Sequence, residues 1–329
     1  MKIICDSYIP FLVEAIEREW KGVTIIPMKP EQIDASTVRD ADVLVIRTRT
    51  RVNADLLEGS NVRLVCTATI GFDHIDTHYC ALKGIRWIAC PGCNAQAVCD
   101  YVEEAIEESI GHWSLVIGHS MPTIGIVGVG HVGSKVAKMA ERKGYKVLLN
   151  DPPKGIGISL DEIAQKCDII TFHVPLTGIQ NTDRYADRIQ TPFPTYHMCD
   201  DTFLNQCKPH ALIINAARGG VVDERALVDS GHPFILDTWE DEPNINATVV
   251  QKAVLASMHI AGYSEEGKRN ATQMCIDEIA GFYHLPTIHL PQLKVSKGDS
   301  SFGWLGRISA QLKAEPTRFE QLRKDYPLR

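Results

Sequence analysis

An arginine, a carboxylate and a histidine each follow an apolar run in the second half of the chain. Arg218 follows Ile213-Ile-Asn-Ala-Ala, Glu242 lies shortly after Ile235-Leu-Asp, and His259 follows Ser257-Met. An arginine can hold a carboxylate through two parallel hydrogen bonds while its charge polarises a neighbouring carbonyl. Histidine suits proton transfer near neutral pH, and a paired carboxylate fixes its tautomer. These three residues are the candidate catalytic set, able to hold an acid and move a proton beside it.

Short apolar runs rich in β-branched residues predict the strands that position this set. In the first part of the chain they occupy residues 2–5, 23–27, 43–46 and 64–67, with a helix over 10–20. A long helix over 95–117 precedes a second series at 123–127, 146–150, 169–172, 211–215 and 234–237. Runs without polar alternation indicate strands covered on both faces, as in a parallel sheet wrapped by helices. Polar residues directly after such strands lie at the carboxyl edge, where ligands bind.

A glycine-rich turn follows the strand predicted over 123–127 and opens a helix: Gly128-Val-Gly130-His131-Val132-Gly133. The first glycine permits a tight turn, the second lets the backbone approach a pyrophosphate, and the third allows close helix–strand packing. His131 and Val132 lie at the helix N-terminus, where free N–H groups favour phosphates. Asp151 ends the next strand, where a carboxylate can bind an adenosine ribose and repel a 2′-phosphate. The turn predicts a dinucleotide site that prefers NAD to NADP.

Composition limits the class of protein. A chain of 329 residues, 44% hydrophobic and 23% charged, is long enough for two folded domains. No apolar run approaches the roughly 18 residues that span a membrane, and the N-terminus reaches an acid too soon for a signal peptide. We therefore expect a cytoplasmic protein with no membrane partner. The net charge of −7 argues against a nucleic-acid partner, so a small-molecule ligand is expected.

Structural roles compete with the functional ones. Taken singly, Arg218, Glu242 and His259 would more often form a salt bridge or a cap, but together behind a dinucleotide turn they favour catalysis. Cys90-Pro-Gly-Cys93 has the spacing of a redox pair, although its place at a domain crossover favours buried, reduced thiols. His74 and His173 flank apolar segments, which favours structural histidines over metal ligands, and no cluster has zinc spacing.

Together with Pro91-Gly-Cys-Asn-Ala, these segments resemble the D-isomer-specific 2-hydroxyacid dehydrogenase family over most of the chain. The resemblance implies an α/β fold of two Rossmann-like or flavodoxin-like parallel-sheet domains with a cleft between them. It implies a discontinuous substrate domain over 1–93 and 262–285, and an NAD domain over 94–261. Residues 286–329 are expected to form a short dimerisation segment of a homodimer.

Three stretches are similar to members of this family that act on 4-phospho-D-erythronate: Thr67-Ala-Thr-Ile-Gly-Phe-Asp-His-Ile-Asp, the same Pro91-Gly-Cys-Asn-Ala, and His259-Ile-Ala-Gly-Tyr-Ser-Glu-Glu-Gly-Lys. The resemblance implies NAD-dependent oxidation of 4-phospho-D-erythronate to 2-oxo-3-hydroxy-4-phosphobutanoate in pyridoxal 5′-phosphate (vitamin B6) biosynthesis. Arg218 and Glu242 would be catalytic, and His259 would donate the proton in the reducing direction. Two alternatives stay open. One is a family member acting on phosphoglycerate, glycerate or hydroxypyruvate, and the other is a non-enzymatic NAD-sensing scaffold.

The resemblance also implies ligand contacts. The implied NAD contacts are Asp151, Val174, Ala216, Ala217, Arg218, Asp237 and Gly262, and the implied substrate contacts are Arg47, Thr48, Thr69 and Tyr263. Val174 departs from the family, which has a threonine there, so only its backbone could donate or accept a hydrogen bond. Arg47, Arg49 and Arg51 lie beside Thr48, and strand alternation would put all three on one face. We expect Arg47 to bind the substrate and assign no role to Arg49 and Arg51.

Overall fold

The computed structural model describes residues 1–117, 121–179, 191–293 and 303–327. These residues form two compact units, the first over 1–94 and 264–293 and the second over 95–179, 191–263 and 303–327. The strands are β1 (Lys2–Asp6), β2 (Thr24–Met28), β3 (Val43–Ile46), β4 (Leu64–Thr67), β5 (Arg86–Ile88), β6 (Thr123–Val127), β7 (Lys146–Asp151), β8 (Ile156–Gly157), β9 (Ile169–Phe172), β10 (Leu212–Asn215), β11 (Phe234–Leu236) and β12 (Leu255–Ala256). The helices are α1 (Leu12–Glu19), α2 (Ala54–Leu57), α3 (Thr77–Lys83), α4 (Ala95–Ile117), α5 (Gly133–Arg142), α6 (Leu160–Lys166), α7 (Asp201–Gln206), α8 (Glu224–Ser230), α9 (Ala247–Lys252), α10 (Glu265–Tyr283), α11 (Trp304–Ala314) and α12 (Phe319–Asp325).

The first unit is a parallel sheet in the order β2-β1-β3-β4-β5, which is the flavodoxin-like order. Alternate residues of its central strands enter two separate cores. Val43 and Val45 of β3 pack in a core with residues of α1 and α10, whereas Leu44 and Ile46 pack with residues of α2 and α3. Because both faces are covered, β3 and β4 are buried along their whole length. This explains the uninterrupted apolar runs and confirms the predicted α/β class.

The second unit is a seven-stranded sheet in the order β12-β11-β10-β9-β6-β7-β8. Its first strand, β6, lies inside the sheet between β7 and β9, so the strand order reverses there, as in the Rossmann fold. All pairings are parallel except that of β7 with the two-residue strand β8. The glycine-rich turn follows β6 and therefore lies at the reversal point, where dinucleotides bind in this fold.

The residues after 285, predicted to form one separate segment, are divided between the two units. Ile288 and Leu290 are buried in the core of the first unit, and the Arg269 guanidinium donates to the Leu290 carbonyl over 2.6 Å. Helix α11, which the sequence pattern did not reveal, buries Leu305 and Leu312 in the core of the second unit. Residues 303–327 thus belong to the second unit. Their predicted part in dimerisation stays a prediction.

The structure corrects the expected placement of the three arginines. Strand β3 ends at Ile46, and the Thr50 N–H donates to the Arg47 carbonyl over 3.4 Å, so the chain turns here. Strand alternation therefore does not apply, and the condition for placing the three arginines on one face is not met. Arg49 is exposed and lies 3.9 Å from a Glu31 carboxylate oxygen.

Three other sequence features can be followed in the fold. The Asp-, Thr- and Pro-rich segment over 177–207 contains the short helix α7, and its part over 180–190 lies outside the described residues. Cys90 is buried, with its Sγ 3.7 Å from that of Cys275 in the first unit, and burial together with this contact raises the pKa of its thiol. Along the described ranges, no helix is both long and apolar enough to cross a membrane.

Two glutamates of α4 meet the start of α11. The Glu108 carboxylate accepts hydrogen bonds from the backbone N–H groups of Leu305, at 2.9 Å, and Gly306, at 2.6 Å. It thereby satisfies donors that a helix N-terminus leaves open. Glu104 lies beside it. Burial raises the pKa of Glu104 to about 7, aided by its hydrogen bond to Glu108 and by the negative charges of Glu108 and Glu107.

We predict that Glu104→Gln stabilises the protein in alkaline solution only. The folded chain keeps the Glu104 proton up to about pH 7, whereas an unfolded glutamate loses it near 4.5. Stability contributed by this proton therefore falls as pH rises between these values and stays low above them. A glutamine can donate to Glu108 at every pH. We expect the melting temperature of the variant to exceed that of the wild type by about 2 °C at pH 8, allowing for solvent screening, and to match it at pH 4.5.

Thermal unfolding at the two pH values checks this. Glu103→Gln is the control on the same helix, because Glu103 pairs instead with Lys143 at 2.8 Å and its loss should not be stabilising. An equal difference between Glu104→Gln and the wild type at both pH values would contradict the proposed titration.

Candidate active site

All candidate residues of the second unit but Tyr263 lie at, or just beyond, the carboxyl ends of neighbouring strands. The residues that follow or end each strand are Gly128–Gly133 for β6, Asp151 for β7, Val174 for β9, Ala216–Arg218 for β10, Asp237 and Glu242 for β11, and His259 and Gly262 for β12. Because these strands are parallel, their carboxyl ends meet at one edge of the sheet. The structure therefore brings the predicted cofactor and catalytic residues to the same edge.

The three positions of the turn differ in why a glycine is present there. Gly128 has a φ of 89°, and a Cβ there would lie 2.6 Å from the His173 carbonyl oxygen. A Cβ at Gly133 would lie 1.9 Å from the Gly128 carbonyl oxygen, which would block the approach of α5 to the turn. At Gly130, by contrast, a Cβ would meet nothing within 4 Å. The protein does not itself need a glycine at this position, and the open space fits a group that approaches the backbone closely, as the pyrophosphate of a dinucleotide does.

Asp151 supports this turn from the end of β7. One of its carboxylate oxygens accepts a hydrogen bond from the Val129 N–H over 2.9 Å, and Lys154 lies 3.6 Å from the same oxygen. Lys154 also donates to the Val129 carbonyl over 2.7 Å. Asp151 thus fixes the glycine-rich turn in addition to its predicted contact with the adenosine ribose, which stays a prediction.

His259 and Glu242 form the proton-transfer pair. His259 Nδ1 lies 2.8 Å from one Glu242 oxygen, and the other accepts the Trp239 N–H over 2.9 Å. Burial works to raise the pKa of Glu242, but the charge and hydrogen bond of His259 outweigh it, so the pKa stays below its usual value. An ionised carboxylate only accepts hydrogen bonds, so Nδ1 carries the proton. When the ring is uncharged, Nε2 is therefore the atom that can accept a proton.

The backbone of His259 is held in a left-handed conformation by Asp237. His259 has a φ of 56°, and its N–H donates to the Asp237 carbonyl over 2.7 Å. The Asp237 carboxylate is 1% exposed and accepts the N–H groups of Ile260 and Ala261 over 2.8 and 2.9 Å. A left-handed backbone at a residue other than glycine costs about 1–3 kcal/mol and persists only where its surroundings enforce it. Asp237 supplies that constraint, and its predicted contact with NAD stays a prediction.

A buried chain of hydroxyl groups extends this constraint to α4. Ser257 Oγ lies 2.6 Å from an Asp237 oxygen, and Tyr101 Oη lies 2.7 Å from Ser257 Oγ. Because the carboxylate can only accept, Ser257 donates to Asp237 and Tyr101 donates to Ser257. No local pattern predicts this arrangement, since Tyr101 lies in the apolar stripe of a helix 156 positions away from Ser257.

The loop that carries Arg218 is held from two sides. The Asn215 amide donates to the Arg218 carbonyl over 2.9 Å and accepts the Ala217 N–H over 3.0 Å. A Cβ at Gly219 would lie 1.7 Å from the Trp239 carbonyl oxygen, so the loop lies directly against the segment that leads to Glu242. The Arg218 guanidinium donates to the Ala217 carbonyl over 2.8 Å.

His197 joins the same two segments and was not predicted from the sequence. Its N–H donates to the Gly220 carbonyl over 2.7 Å, and its Nε2 lies 2.6 Å from a Glu240 oxygen. The Nδ1 atom lies 3.5 Å from Asp223. His197 thus fastens the arginine loop to the loop of Glu242. Its position in a polar stretch far from both loops hid this role.

The remaining predicted residues lie in different surroundings. Val174 packs against Gly128, and Ala216 is buried. The Arg323 guanidinium lies over the Tyr263 ring, 5.7 Å from its centroid. Val174 and Ala216 thus follow strands at the sheet edge, while the ligand contacts of all three residues stay predictions.

In the first unit, Arg47, Thr48 and Thr69 follow β3 and β4. Thr69 donates to the Gly71 carbonyl over 2.9 Å and lies 2.7 Å from the Thr67 hydroxyl, which lies 3.0 Å from His74 Nε2. Burial lowers the pKa of His74 to about 4, so the ring is neutral and supports Thr69 through Thr67. The substrate contacts assigned to Arg47, Thr48 and Thr69 stay predictions.

Comparison with known proteins shows which proteins the chain is similar to. Residues 111–261 match the family model described as the NAD binding domain of D-isomer specific 2-hydroxyacid dehydrogenase. The solved structure of NAD+-bound 3-phosphoglycerate dehydrogenase from Entamoeba histolytica has the same fold, with a TM-score of 0.66 and 22% identity over 89% of this chain and 99% of that one.

Full-length relatives are more similar. The chain is 42% identical to an erythronate-4-phosphate dehydrogenase of Bacteroides fragilis and 40% identical to that of Bacteroides thetaiotaomicron. Each comparison covers 100% of this chain and 97% of the relative. The chain therefore belongs to the family of the erythronate-4-phosphate dehydrogenases, within the D-isomer specific 2-hydroxyacid dehydrogenases.

Proposed function

We propose that this protein oxidises 4-phospho-D-erythronate to 2-oxo-3-hydroxy-4-phosphobutanoate with NAD, in vitamin B6 biosynthesis. The observation that carries the proposal is the His259–Glu242 pair, 2.8 Å apart, at the same sheet edge as Arg218 and the open glycine-rich turn. This arrangement supports a 2-hydroxyacid dehydrogenase, and the full-length relatives support the choice of substrate.

The geometry supports a division of tasks among the three residues. His259 Nε2 accepts the proton of the C2 hydroxyl, while the Glu242 carboxylate stabilises the imidazolium that forms. Arg218 holds the substrate carboxylate through parallel hydrogen bonds, and its charge stabilises the oxygen that becomes the carbonyl. The glycine-rich turn would hold NAD, which would supply the acceptor for the hydride that leaves C2. In the reducing direction His259 returns the proton to the carbonyl oxygen.

We further propose that the first unit binds substrate, that the second binds NAD, and that the protein acts as a cytoplasmic homodimer. The family resemblance, which implies a dimerisation segment over 286–329, supports the last point. Phe319 is fully buried within its own unit, so a dimer contact through this segment would use its other residues.

NAD reduction, followed by absorbance, tests the proposed substrate. We expect the wild type to oxidise 4-phospho-D-erythronate in preference to 3-phospho-D-glycerate and D-glycerate. A preference for either of the other acids would agree with the proposed oxidation of a 2-hydroxy acid but contradict the proposed role in vitamin B6 biosynthesis. Binding of NADH without turnover of any of them would favour an NAD-sensing scaffold.

We predict that loss of either member of the proton-transfer pair lowers kcat while NAD affinity is kept. His259→Gln removes the proton acceptor, and we expect kcat to fall by about 10²–10⁴-fold. Glu242→Gln keeps the size of the side chain but removes the charge that stabilises the imidazolium, so kcat should also fall, by about 10²-fold. Asp229→Asn, at an exposed carboxylate of α8, is the control and should behave as the wild type. Near-normal kcat in His259→Gln would remove His259 from the mechanism.

Substitution of the second and third glycines should separate cofactor binding from folding. Gly130→Ala places a methyl group in open space, so we expect an unchanged melting temperature and NAD binding that is at least about tenfold weaker. Gly133→Ala forces the backbone apart at Gly128, and we expect it to cost about 1–3 kcal/mol of stability. Calorimetric titration with NAD and thermal unfolding measure the two effects. Wild-type NAD affinity in Gly130→Ala would mean that the pyrophosphate does not approach this turn.

A further inference from the structure

Helix α12, near the C-terminus, carries an arginine that the proposed mechanism does not use. Phe319 at its start is fully buried in the core of the second unit, and the ring of Tyr326 just after its end lies 6.5 Å from that of Trp304. The helix is therefore fixed at both ends. Arg323 lies between these anchors, with a side chain that is only 28% exposed.

The Arg323 guanidinium contacts one predicted site residue, Tyr263, and acts electrostatically on another, Glu242. Its Cζ is 5.7 Å from the centroid of the Tyr263 ring, a residue predicted to contact the substrate. Its charge also acts on Glu242: against the effect of burial, it helps His259 and the Trp239 N–H to hold the pKa of that carboxyl down. The guanidinium therefore contributes positive charge at the sheet edge where the reaction is proposed to occur.

The described residues leave part of the hydrogen-bonding capacity of Arg323 unfilled. Its Nε atom is buried and has no hydrogen-bond partner within the described ranges. Its Nη1 atom lies 3.8 Å from a Glu320 carboxylate oxygen, which is too long for a hydrogen bond. Buried donors are almost always paired, so an unpaired one points to an acceptor beyond the described residues, such as a bound ligand. A planar guanidinium favours acceptors with two oxygens, such as a phosphate or a carboxylate.

The charged groups of the proposed substrate indicate which acceptor would bind Arg323. The substrate carries a carboxylate beside C2 and a phosphate at its other end. Arg218 is assigned to the carboxylate, because only that group must be held next to the carbon that reacts. A phosphate monoester bears nearly two negative charges at neutral pH and needs a cation of its own.

We propose that Arg323 binds the phosphate group of the substrate, with its guanidinium held over the ring of Tyr263. The inference rests on the proposed function, since it requires a phosphorylated 2-hydroxy acid. It assigns to α12 a part in substrate selection, with Arg323 as a specificity-determining residue for the phosphate.

The test compares phosphorylated and unphosphorylated substrates. For the wild type and Arg323→Gln, kcat/KM is measured with 4-phospho-D-erythronate and with D-erythronate. We expect Arg323→Gln to lower the ratio of the two values at least about tenfold, through a higher KM for the phosphorylated acid. NAD affinity should not change. Arg323→Lys keeps the positive charge but loses the planar guanidinium with its paired donors. Its ratio of the two kcat/KM values should therefore lie between those of Arg323→Gln and the wild type.

Arg318→Gln is the matched control, because Arg318 belongs to the same segment but is half-exposed and pairs with Glu315. An unchanged ratio in Arg323→Gln, or an equal loss with both substrates, would overturn the proposal and leave Arg323 a purely structural role. If Arg323→Gln does not fold, the ratio in Arg323→Lys decides: a value equal to the wild type overturns the proposal.

Inorganic phosphate separates this inference from the proposed function. As an inhibitor of the wild type it should compete with the phosphorylated acid, and Arg323→Gln should weaken the inhibition. If the wild type does not oxidise 4-phospho-D-erythronate, the proposed function fails. The same comparison is then made with 3-phospho-D-glycerate and D-glycerate, and an unchanged ratio there overturns the inference about Arg323.

Discussion

The geometry of the candidate site depends on one buried carboxylate. Asp237 accepts hydrogen bonds from Ser257 and from two consecutive backbone N–H groups after His259, and its own carbonyl holds the His259 N–H. A charged group with 1% exposure is tolerated only because these donors replace the water it has lost. The same bonds force His259 into a left-handed backbone that it would not adopt alone. Loss of any one donor would therefore affect both the stability of the carboxylate and the aim of the imidazole.

The catalytic residues come from three loops, and the loops are fastened to one another rather than only to the sheet. Gly219 allows the arginine loop to touch the Trp239 carbonyl, and His197 links Gly220 to Glu240. Residues near the reacting groups are thus fixed in relation to each other before a ligand arrives. Preorganised charges stabilise a transition state without a cost for reorientation, so this cross-linking is itself part of the proposed catalytic apparatus.

The sequence was informative where function follows from local order along the chain. The glycine-rich turn and the three catalytic candidates could be found because each lies directly after a buried strand. Long-range contacts left no such local signal: Tyr101 reaches Ser257 across 156 positions, and only the folded chain shows that their hydroxyls meet. The stretch after Ile46 was misjudged for a related reason. Its arginines alternate as residues on one face of a strand would, but β3 ends at Ile46 and the chain turns from Arg47 onwards.

The electrostatics of the second unit explain why cations must be placed with care at this edge. Glu224, Glu240, Asp241 and Glu242 lie close enough that burial and their mutual repulsion raise the pKa of Glu224 to about 7, despite its hydrogen bond from the Glu240 N–H. An edge with this much negative charge repels an anionic substrate. Partial protonation of Glu224 removes some of that charge near neutral pH, and an arginine held by packing adds an opposing charge whose position is fixed. Such placement makes the attraction local, so a chain with a net charge of −7 can still bind an anion at one chosen point.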